Sequence, residues 1–143
     1  MKEFDRYIES TDNLKRLHYN DQWPNKATDQ MIRNTQEKDG AIFVAEDNGV
    51  MIGFIEGHQE EQSEESLSSI GIKKIGRISE LFVTEKYRSQ HVGSKLMKVM
   101  EDYFKKNSFE SIFLGIFAPN LIAKDFYHKH GYIEREIELI KEL

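Results

Sequence analysis

The stretch ISELFVTEKYRSQHVGSKLM, residues 78–97, contains the change of pattern that decides the fold. An apolar strand pattern runs through a polar turn into a helical pattern that opens near His91. A helix N-terminus presents unpaired N–H groups and a partial positive charge, and Lys86, Arg88 and Lys95 surround this one, so the junction suits an anion. On local chemistry alone, a phosphate site and an ordinary turn with surface bases are equally good interpretations. The residue order excludes a P-loop.

Toward the C-terminus the pattern keeps alternating between helix and strand. Val92, Leu96, Val99, Met100 and Tyr103 recur at helical spacing and form one apolar stripe. Asn120 is a favourable N-cap for the helix that follows the next strand. The predicted elements are a helix over residues 91–106, a strand over 111–117, a helix over 120–130 and a strand over 132–143.

Toward the N-terminus the strongest signal is Asp47-Asn48-Gly49, because Asn-Gly tolerates the positive φ angles of a tight hairpin turn. Pro24 disfavours helical geometry at the residue before it, which predicts a break over residues 20–25. The other predicted elements are a short edge strand over residues 1–9, helices over 11–19 and 27–38, strands over 41–46 and 50–57, an exposed acidic loop over 58–69 and a strand over 74–84. This order predicts an α/β domain with a mixed sheet and a parallel crossover between the strands at 78–83 and 111–117.

Composition restricts the class of protein. The 143 residues carry a net charge of −5 and no Cys, which excludes disulfides, thiolate nucleophiles and cysteine zinc sites. The negative charge argues against general nucleic-acid binding, and no apolar run is long enough to span a bilayer. The N-terminal MKEFDRYIES has no signal-peptide core, so we expect a soluble cytoplasmic domain. The histidines lack metal-ligand spacing, and no metal is expected.

The charge is unevenly distributed along the chain. Residues 46–65 carry −7, and residues 66–100 carry +5. Solvated surfaces explain most such runs. The alternative is that one region receives a cation and the other a phosphate.

Residues 78–97 resemble the acetyl-CoA-binding motif of the GCN5-related N-acetyltransferase (GNAT) family. Leu81-Phe82-Val83, Tyr87-Arg88 and Gly93 fall in register with that motif, whereas Ser89 and His91 stand where glycines are common. Two further stretches resemble the family in the right order: APNLIAKDFYHKHGY, residues 118–132, and VAEDNGVMIGFIEG, residues 44–57. The resemblance implies a single domain over residues 1–143, with an α/β fold whose mixed, mostly antiparallel sheet is flanked by helices and splays apart between its fourth and fifth strands.

The resemblance also implies acetyl-CoA as the co-substrate. Its pantetheine arm would enter between the strands at 78–83 and 111–117 and pair with the backbone of Phe82 and Val83. The other residues that would hold the pyrophosphate or the arm are Arg88, Ser89, Gln90, His91, Val92, Gly93, Ser94, Lys95 and Asn120.

The implied reaction is direct attack of a primary amine on the thioester in a ternary complex. Tyr127 matches the family's general acid, which protonates the departing thiolate, and the alternative is a half-buried structural aromatic. Glu80 lies where relatives often carry a carboxylate and is the candidate base. It could equally position the ammonium by its charge, or be an ordinary strand residue. Alternation places Glu80 on the face of Ile78 and Phe82 without showing which face lines the cleft.

The acceptor is inferred from Tyr19, Trp23, Glu56 and the acidic segment after Glu56, which would suit a cation. These residues favour a polyamine, an aminoglycoside-like amine or a peptide amine, and a merely buried Trp23 is an equally good interpretation. The alternative function is a non-catalytic acyl-CoA-binding sensor or interaction module. The last strand could pair across a homodimer, as in this family, or be an edge that its charges protect.

Overall fold

The hairpin turn at Asn48-Gly49 has both residues at positive φ, 50° and 80°, as the sequence predicts. A computed structural model describes residues 2–12, 14–17, 23–64 and 74–143. Its elements, in chain order, are α1 (Lys2–Thr11), α2 (Trp23–Glu37), β1 (Ala41–Asp47), β2 (Val50–Gln59), β3 (Ile75–Val83), a 3-10 turn (Glu85–Tyr87), α3 (Val92–Lys106), β4 (Ser111–Leu114) and α4 (Leu121–Lys129).

The described strands form a four-stranded sheet in the order β1-β2-β3-β4. The pairs β1–β2 and β2–β3 are antiparallel, whereas β3 and β4 are parallel. β3 and β4 are parallel because α3, which connects them, returns the chain to the end of the sheet at which β3 begins. The predicted mixed, mostly antiparallel sheet is therefore confirmed.

The sheet splays where β3 and β4 part. Their pairing runs only from Ile75 opposite Ser111 to Ile78 opposite Leu114, while β3 continues to Val83. At the same place the register with β2 jumps, since Ile78 pairs with Gly57 and Glu80 with Glu56, which leaves Ser79 as a bulge. A bulge bends its strand and increases the local twist. The expected splay is present, but between the third and fourth strands, because the predicted first strand is a helix.

Helices cover both faces of the sheet. The face toward α3 buries a cluster of Ile55, Ile78, Leu96, Met97, Met100 and Phe104. The opposite face buries Met31 of α2 against Phe54 and Phe82, with Ile8 of α1 packed beside them. This opposite face is the one on which Glu80 lies, because Glu80 and Phe82 are two residues apart on β3. The prediction that Ile78 shares this face is wrong, because the bulge at Ser79 turns Ile78 toward α3.

Phe104 packs on two glycines of adjacent strands. A Cβ atom at Gly76 would lie 2.8 Å from the Phe104 ring, and one at Gly57 would lie 2.9 Å from it. Both distances are shorter than van der Waals contact, so α3 approaches the sheet this closely only because these positions lack side chains.

The prediction of a strand over residues 1–9 and a helix over 11–19 is wrong at its described positions. The buried and half-buried positions Asp5, Ile8 and Asp12 recur at three and four residues, which is helical spacing, but two of them are acidic and hide the pattern. α1 ends at Thr11, and the Asp12 carboxylate then accepts the N–H groups of Leu14, Arg16 and Leu17. That local capping replaces a helix. Residues 13 and 18–19 lie outside the described part.

Two boundaries in the middle of the chain also differ from prediction. α2 begins at Trp23, so Pro24 lies in its first turn and not in a break; proline is tolerated there because the first helical N–H groups have no partner in any case. β2 extends to Gln59, which places His58 in the sheet and not in the acidic loop. Residues 20–22 and 65–69 of those predictions lie outside the described part.

The C-terminal strand prediction is wrong as well. β4 ends at Leu114, three residues early, and residues 132–143 form no strand. The C-terminal segment is held beside β4 by side chains instead, with Lys124 2.7 Å from Glu134 and Arg135 5.3 Å from the centre of the Phe113 ring. Its apolar residues remain exposed, so alternation alone did not suffice to form a ladder. No helix in the described ranges is long and apolar enough to cross a bilayer.

Candidate functional site

The divergence of β3 and β4 opens a cleft of about 900 Å³. Its walls are the end of β3, the turn before α3, residues 115–117 and α4, and α1 covers it with Tyr7 and Ile8. This volume is near the upper end of the range for small-molecule sites. The predicted site residues that line the cleft are Glu80, Phe82, Val83, Arg88, Ser89, His91, Gly93, Ser94, Asn120 and Tyr127.

The remaining predicted residues lie elsewhere. Gln90 donates to the Lys86 carbonyl at 2.8 Å, and Val92 and Lys95 belong to the first turn of α3 outside the lining. Glu56 is fully buried inside the sheet. Tyr19 and the side chain of Trp23 lie outside the described part.

Two residues in the loop before α3 have positive φ angles, although neither is a glycine. Ser89 and His91 have φ angles of 58° and 62°, in the left-handed region. Glycine adopts this region at little cost, whereas other residues are strained there. The two departures from the motif therefore sit at the positions whose conformation explains why glycines are common there.

The N-terminus of α3 points unpaired donors at the cleft. The first helical bond runs from the Lys95 N–H to the His91 carbonyl at 3.0 Å, so the N–H groups of Gly93 and Ser94 precede the ladder. Among the described residues no ion pair involves Lys86, Arg88 or Lys95. Donors and bases here suit a diphosphate.

The backbone of Val83 faces the gap between the strands. The Thr84 N–H donates to the Ile52 carbonyl at 2.9 Å, so in an alternating antiparallel ladder Thr84 and Phe82 bond toward β2. Val83 then bonds toward the opposite side, which is the cleft. Its carbonyl accepts from Arg88 Nε at 3.0 Å. An extended ligand arm that paired with Val83 would have to displace this side chain.

Tyr7 connects the cover of the cleft to its far wall. Its hydroxyl donates to Asn120 Oδ1 at 3.0 Å, and the Arg88 guanidinium lies 4.7 Å from the centre of its ring. Asn120 Oδ1 also accepts the Ala123 N–H at 3.1 Å, which confirms Asn120 as the N-cap of α4. Tyr7 thereby joins α1 both to the turn before α3, through Arg88, and to α4, through Asn120.

Glu80 and Tyr127 interact electrostatically across the cleft. Burial, together with the smaller effects of the Glu56 and Asp5 carboxylates, raises the pKa of Glu80 to about 7. Burial also raises the pKa of Tyr127 to about 12, and the charge of Glu80 adds to this effect. At neutral pH the site thus holds a carboxyl close to its midpoint of ionisation beside a phenol that keeps its proton.

Much of the acidic segment after Glu56 is neutralised locally. Glu60 pairs with Arg77, and Glu61 lies 2.8 Å from Lys38. For Glu60 and Glu61, the run of negative charge is therefore a surface whose carboxylates are paired with nearby bases. Of the described carboxyls, Glu80 and Asp125 line the cleft, whereas Glu56 and Asp5 are buried close enough to Glu80 to raise its pKa.

Sequence reasoning missed Asp5, Tyr7 and His58. Asp5 and Tyr7 belong to the helix that was predicted as a strand, and the helical spacing of Asp5, Ile8 and Asp12 was the available signal. His58 was assigned to a loop, although it follows Glu56 at the strand period of two.

A family model and a curated protein match most of the chain. The family model described as Acetyltransferase (GNAT) family matches residues 8–132. A protein of Bacillus subtilis strain 168, "Uncharacterized N-acetyltransferase YhfO", is 29% identical over 99 residues, which cover 69% of this chain and 62% of that protein. The chain therefore spans less than two thirds of this relative's length.

Solved structures show the same fold. A mutant of the BH1408 protein from Bacillus halodurans superposes with a TM-score of 0.83 at 21% identity, covering 99% of this chain and 90% of that one. The aminoglycoside N-acetyltransferase AAC(6')-Iy in complex with CoA superposes with a TM-score of 0.67 at 18% identity, covering 83% of this chain and 87% of that one.

Proposed function

The chain belongs to the GNAT acetyltransferase family, and from this premise we propose that it transfers an acetyl group from acetyl-CoA to a primary amine by direct attack in a ternary complex. The observation that carries this proposal is the meeting of Glu80 and Tyr127 in the cleft between β3 and β4. A carboxyl in the cleft can take the proton of the amine, and a phenol there can donate a hydrogen bond to the departing sulfur.

The chain's own residues fit the co-substrate. The N–H groups of Gly93 and Ser94 would hold the diphosphate, with Arg88 and Lys86 neutralising its charge. The Val83 backbone would pair with the pantetheine arm once Arg88 has moved from the Val83 carbonyl to the phosphates. When bound, acetyl-CoA supplies an activated thioester and a thiolate leaving group.

Glu80 would take the proton from the acceptor. An alkylammonium has a reference pKa of about 10.4, and it must lose a proton before the nitrogen can attack. A base with a pKa close to the working pH is both available in its ionised form and strong enough to accept the proton. The raised pKa of Glu80, about 7, meets both requirements.

Tyr127 would donate a hydrogen bond to the departing sulfur. Its pKa of about 12 lies above the ~8.5 of a thiol, so complete transfer to a free thiolate is uphill. Donation to sulfur as negative charge develops needs no complete transfer, and burial makes that hydrogen bond stronger. Tyr127 therefore acts chiefly by stabilising charge on the leaving group.

We propose a small cationic amine, of the polyamine or aminoglycoside class, or a peptide amine as the acceptor. Glu80 lines the cleft, and the carboxyls of Glu56 and Asp5 lie close enough to raise its pKa. Such a group of like charges is stabilised by a cation. AAC(6')-Iy, whose name describes aminoglycoside N-acetylation, shares the fold.

The decisive experiment incubates the protein with acetyl-CoA and a panel of cationic, neutral and anionic amines, with thiol release as the readout. Turnover restricted to cationic amines supports the proposal, and turnover with neutral or anionic amines alone contradicts the acceptor class. Tyr127→Phe separates an enzyme from a non-catalytic acyl-CoA-binding module. An enzyme loses rate and keeps cofactor affinity, whereas CoA binding without any turnover supports the module.

We also propose a homodimer formed through the C-terminal segment. Ile133, Ile137 and Leu139 are exposed there by 88%, 74% and 89%, next to β4, which is the edge strand of the described sheet. An open edge beside exposed apolar side chains favours pairing with a second chain. Sedimentation of the wild type against Ile137→Lys tests this, and a wild-type monomer at micromolar concentration would contradict it.

A further inference from the structure

Glu56 and Glu80 are cross-strand partners. They lie directly opposite each other in the β2–β3 register, beside the bulge at Ser79. Opposed residues on antiparallel strands share one face, with Cβ atoms about 5 Å apart. Two carboxylates in this position repel each other unless they hold a proton or a cation between them.

Glu56 is held at one oxygen and unsatisfied at the other. Its side chain has no exposed surface, and its Oε1 accepts from His58 Nδ1 at 2.7 Å and, more weakly, from Asn34 Nδ2 at 3.4 Å. Oε2 is buried without a hydrogen-bond partner in the part of the chain that the structure describes. A buried acceptor without a partner is unfavourable, so this oxygen is poised for a donor.

The groups that face this pair come from every neighbouring element. α1 contributes Asp5, itself buried with an unpartnered Oδ1 among the described residues, and α2 contributes the uncharged Asn34. His58 lies on β2 and is close enough to the exposed Glu61 to stabilise its charge. Tyr127 faces Glu80 from α4. His58 is therefore the one basic group of the described residues that touches Glu56.

We propose that Glu56, held by His58 and Asn34, is a positioning residue for Glu80, and that the two carboxyls accept the proton of the acceptor ammonium as a unit. The N–H bond of the ammonium breaks, its electron pair stays on nitrogen, and an O–H bond forms on Glu80. That O–H then donates to Glu56 Oε2 and satisfies it. The protonated form of Glu80 is stabilised in this way, which makes Glu80 a stronger base.

This inference rests on the proposed function, but part of its test needs no turnover. Carbon-13 NMR of the side-chain carboxyls, followed over pH 4 to 9 in the wild type, is expected to show Glu80 titrating near pH 7. The Glu56 carboxyl signal is expected to change over the same pH range, because the hydrogen bond from protonated Glu80 to Glu56 Oε2 is lost as Glu80 ionises. A Glu56 signal that is flat through the Glu80 transition would overturn the proposal, whether or not the protein acetylates an amine.

Glu56→Gln supplies the kinetic test. The substitution removes the negative charge that opposes ionisation of Glu80, so the acidic limb of kcat/KM is expected to move down by about one pH unit. The rate at high pH is expected to fall about tenfold, because the base is weaker. The same acceptor is used for each variant, so its own ionisation cancels from the comparison.

Glu61→Gln is the matched control, since it removes one exposed carboxylate close to His58 without facing Glu80. It is expected to leave the acidic limb in place. An acidic limb that Glu56→Gln does not move, or that both variants move equally, overturns the positioning role. Loss of turnover in Glu80→Gln with an unshifted Glu56→Gln profile would support the proposed function and reject this inference alone. If Glu56→Gln does not fold, the NMR titration decides.

Discussion

The Tyr7 hydroxyl donates a hydrogen bond to Asn120 Oδ1 at 3.0 Å, although the two residues are 113 positions apart in sequence. The bond joins the helix that covers the cleft to the cap of the helix that carries Tyr127. The same tyrosine ring receives the Arg88 guanidinium at 4.7 Å. Tyr7, Arg88 and Asn120 thus come from three different parts of the chain, all line the cleft, and Tyr7 contacts the other two.

Tyr7→Phe is expected to loosen this closure. The change removes one hydrogen bond, which contributes about 1 kcal/mol to the free energy of unfolding, and leaves the Ala123 N–H on Asn120. Chemical denaturation measures the loss, and the KM for acetyl-CoA is expected to change with it. Tyr103→Phe is the control. The Tyr103 hydroxyl donates a hydrogen bond of 3.1 Å to the Gly40 carbonyl, and neither residue lines the cleft. This variant is expected to cost similar stability without altering that KM, and equal KM changes in both variants would contradict the closing role.

Ser89→Gly and His91→Gly are expected to stabilise the protein. Both residues are held at positive φ, where glycine is not strained, and the gain is reduced by the greater flexibility of glycine in the unfolded chain. A net gain of about 0.5–1 kcal/mol per site is expected from thermal unfolding. Ser108→Gly, at φ 61° and away from the cleft, is expected to stabilise similarly without changing CoA affinity. A loss of stability in the two loop variants would mean that their side chains make contacts that outweigh the strain.

The stability of the protein is expected to fall between pH 5 and pH 8. The pKa of Glu80 is raised from 4.5 to about 7, chiefly by burial, so the folded state binds this proton more tightly than the unfolded chain. The stability that the protonated carboxyl contributes is complete below pH 4.5 and lost as the pH rises through about 7. The loss is at most about 3 kcal/mol.

Urea unfolding of the wild type and Glu80→Gln at both pH values measures this contribution. The variant cannot ionise at position 80, so its stability is expected to depend less on pH. Glu85→Gln, which removes an exposed carboxyl just after β3, is expected to retain the wild-type difference. Identical pH dependence in the wild type and Glu80→Gln would show that Glu80 is not the responsible group.

Gly76→Ala is expected to destabilise the fold by about 1–3 kcal/mol. The new methyl group would lie 2.8 Å from the Phe104 ring, which is fully buried between α3 and the sheet and has no room to retreat. Thermal unfolding provides the measurement. Gly115→Ala is the control, because a Cβ atom there has no atom within 4 Å, and its stability should change by less than about 0.5 kcal/mol. Equal effects at the two positions would contradict the close packing.

Local chemistry was sufficient for a large part of the fold. The Asn48-Gly49 turn and the Asn120 cap depend on residues close in sequence, and the structure has both where predicted. The predicted stripe of α3 is right in part: Leu96 and Met100 are buried and Val92 and Tyr103 pack against the core, but Val99 is 44% exposed. The turn before α3 also lies where predicted. Ser89 and His91 adopt there the positive φ angles that glycine adopts more easily. Such features can be predicted from sequence because the interactions that stabilise them join residues only a few positions apart.

Contacts between distant residues decided the rest. α1 buries Asp5 against the sheet, which no hydrophobic pattern indicates, and residues 132–143 alternate like a strand without a ladder to join. Alternation placed Glu80 on the face of Phe82, but only the register with β2 brought Glu56 opposite it, and only the packing of α1 brought Asp5 close enough to raise its pKa. The sequence by itself therefore determined the family and the candidate residues, and the tertiary structure decided their ionisation, because burial and opposed charges act through space and not along the chain.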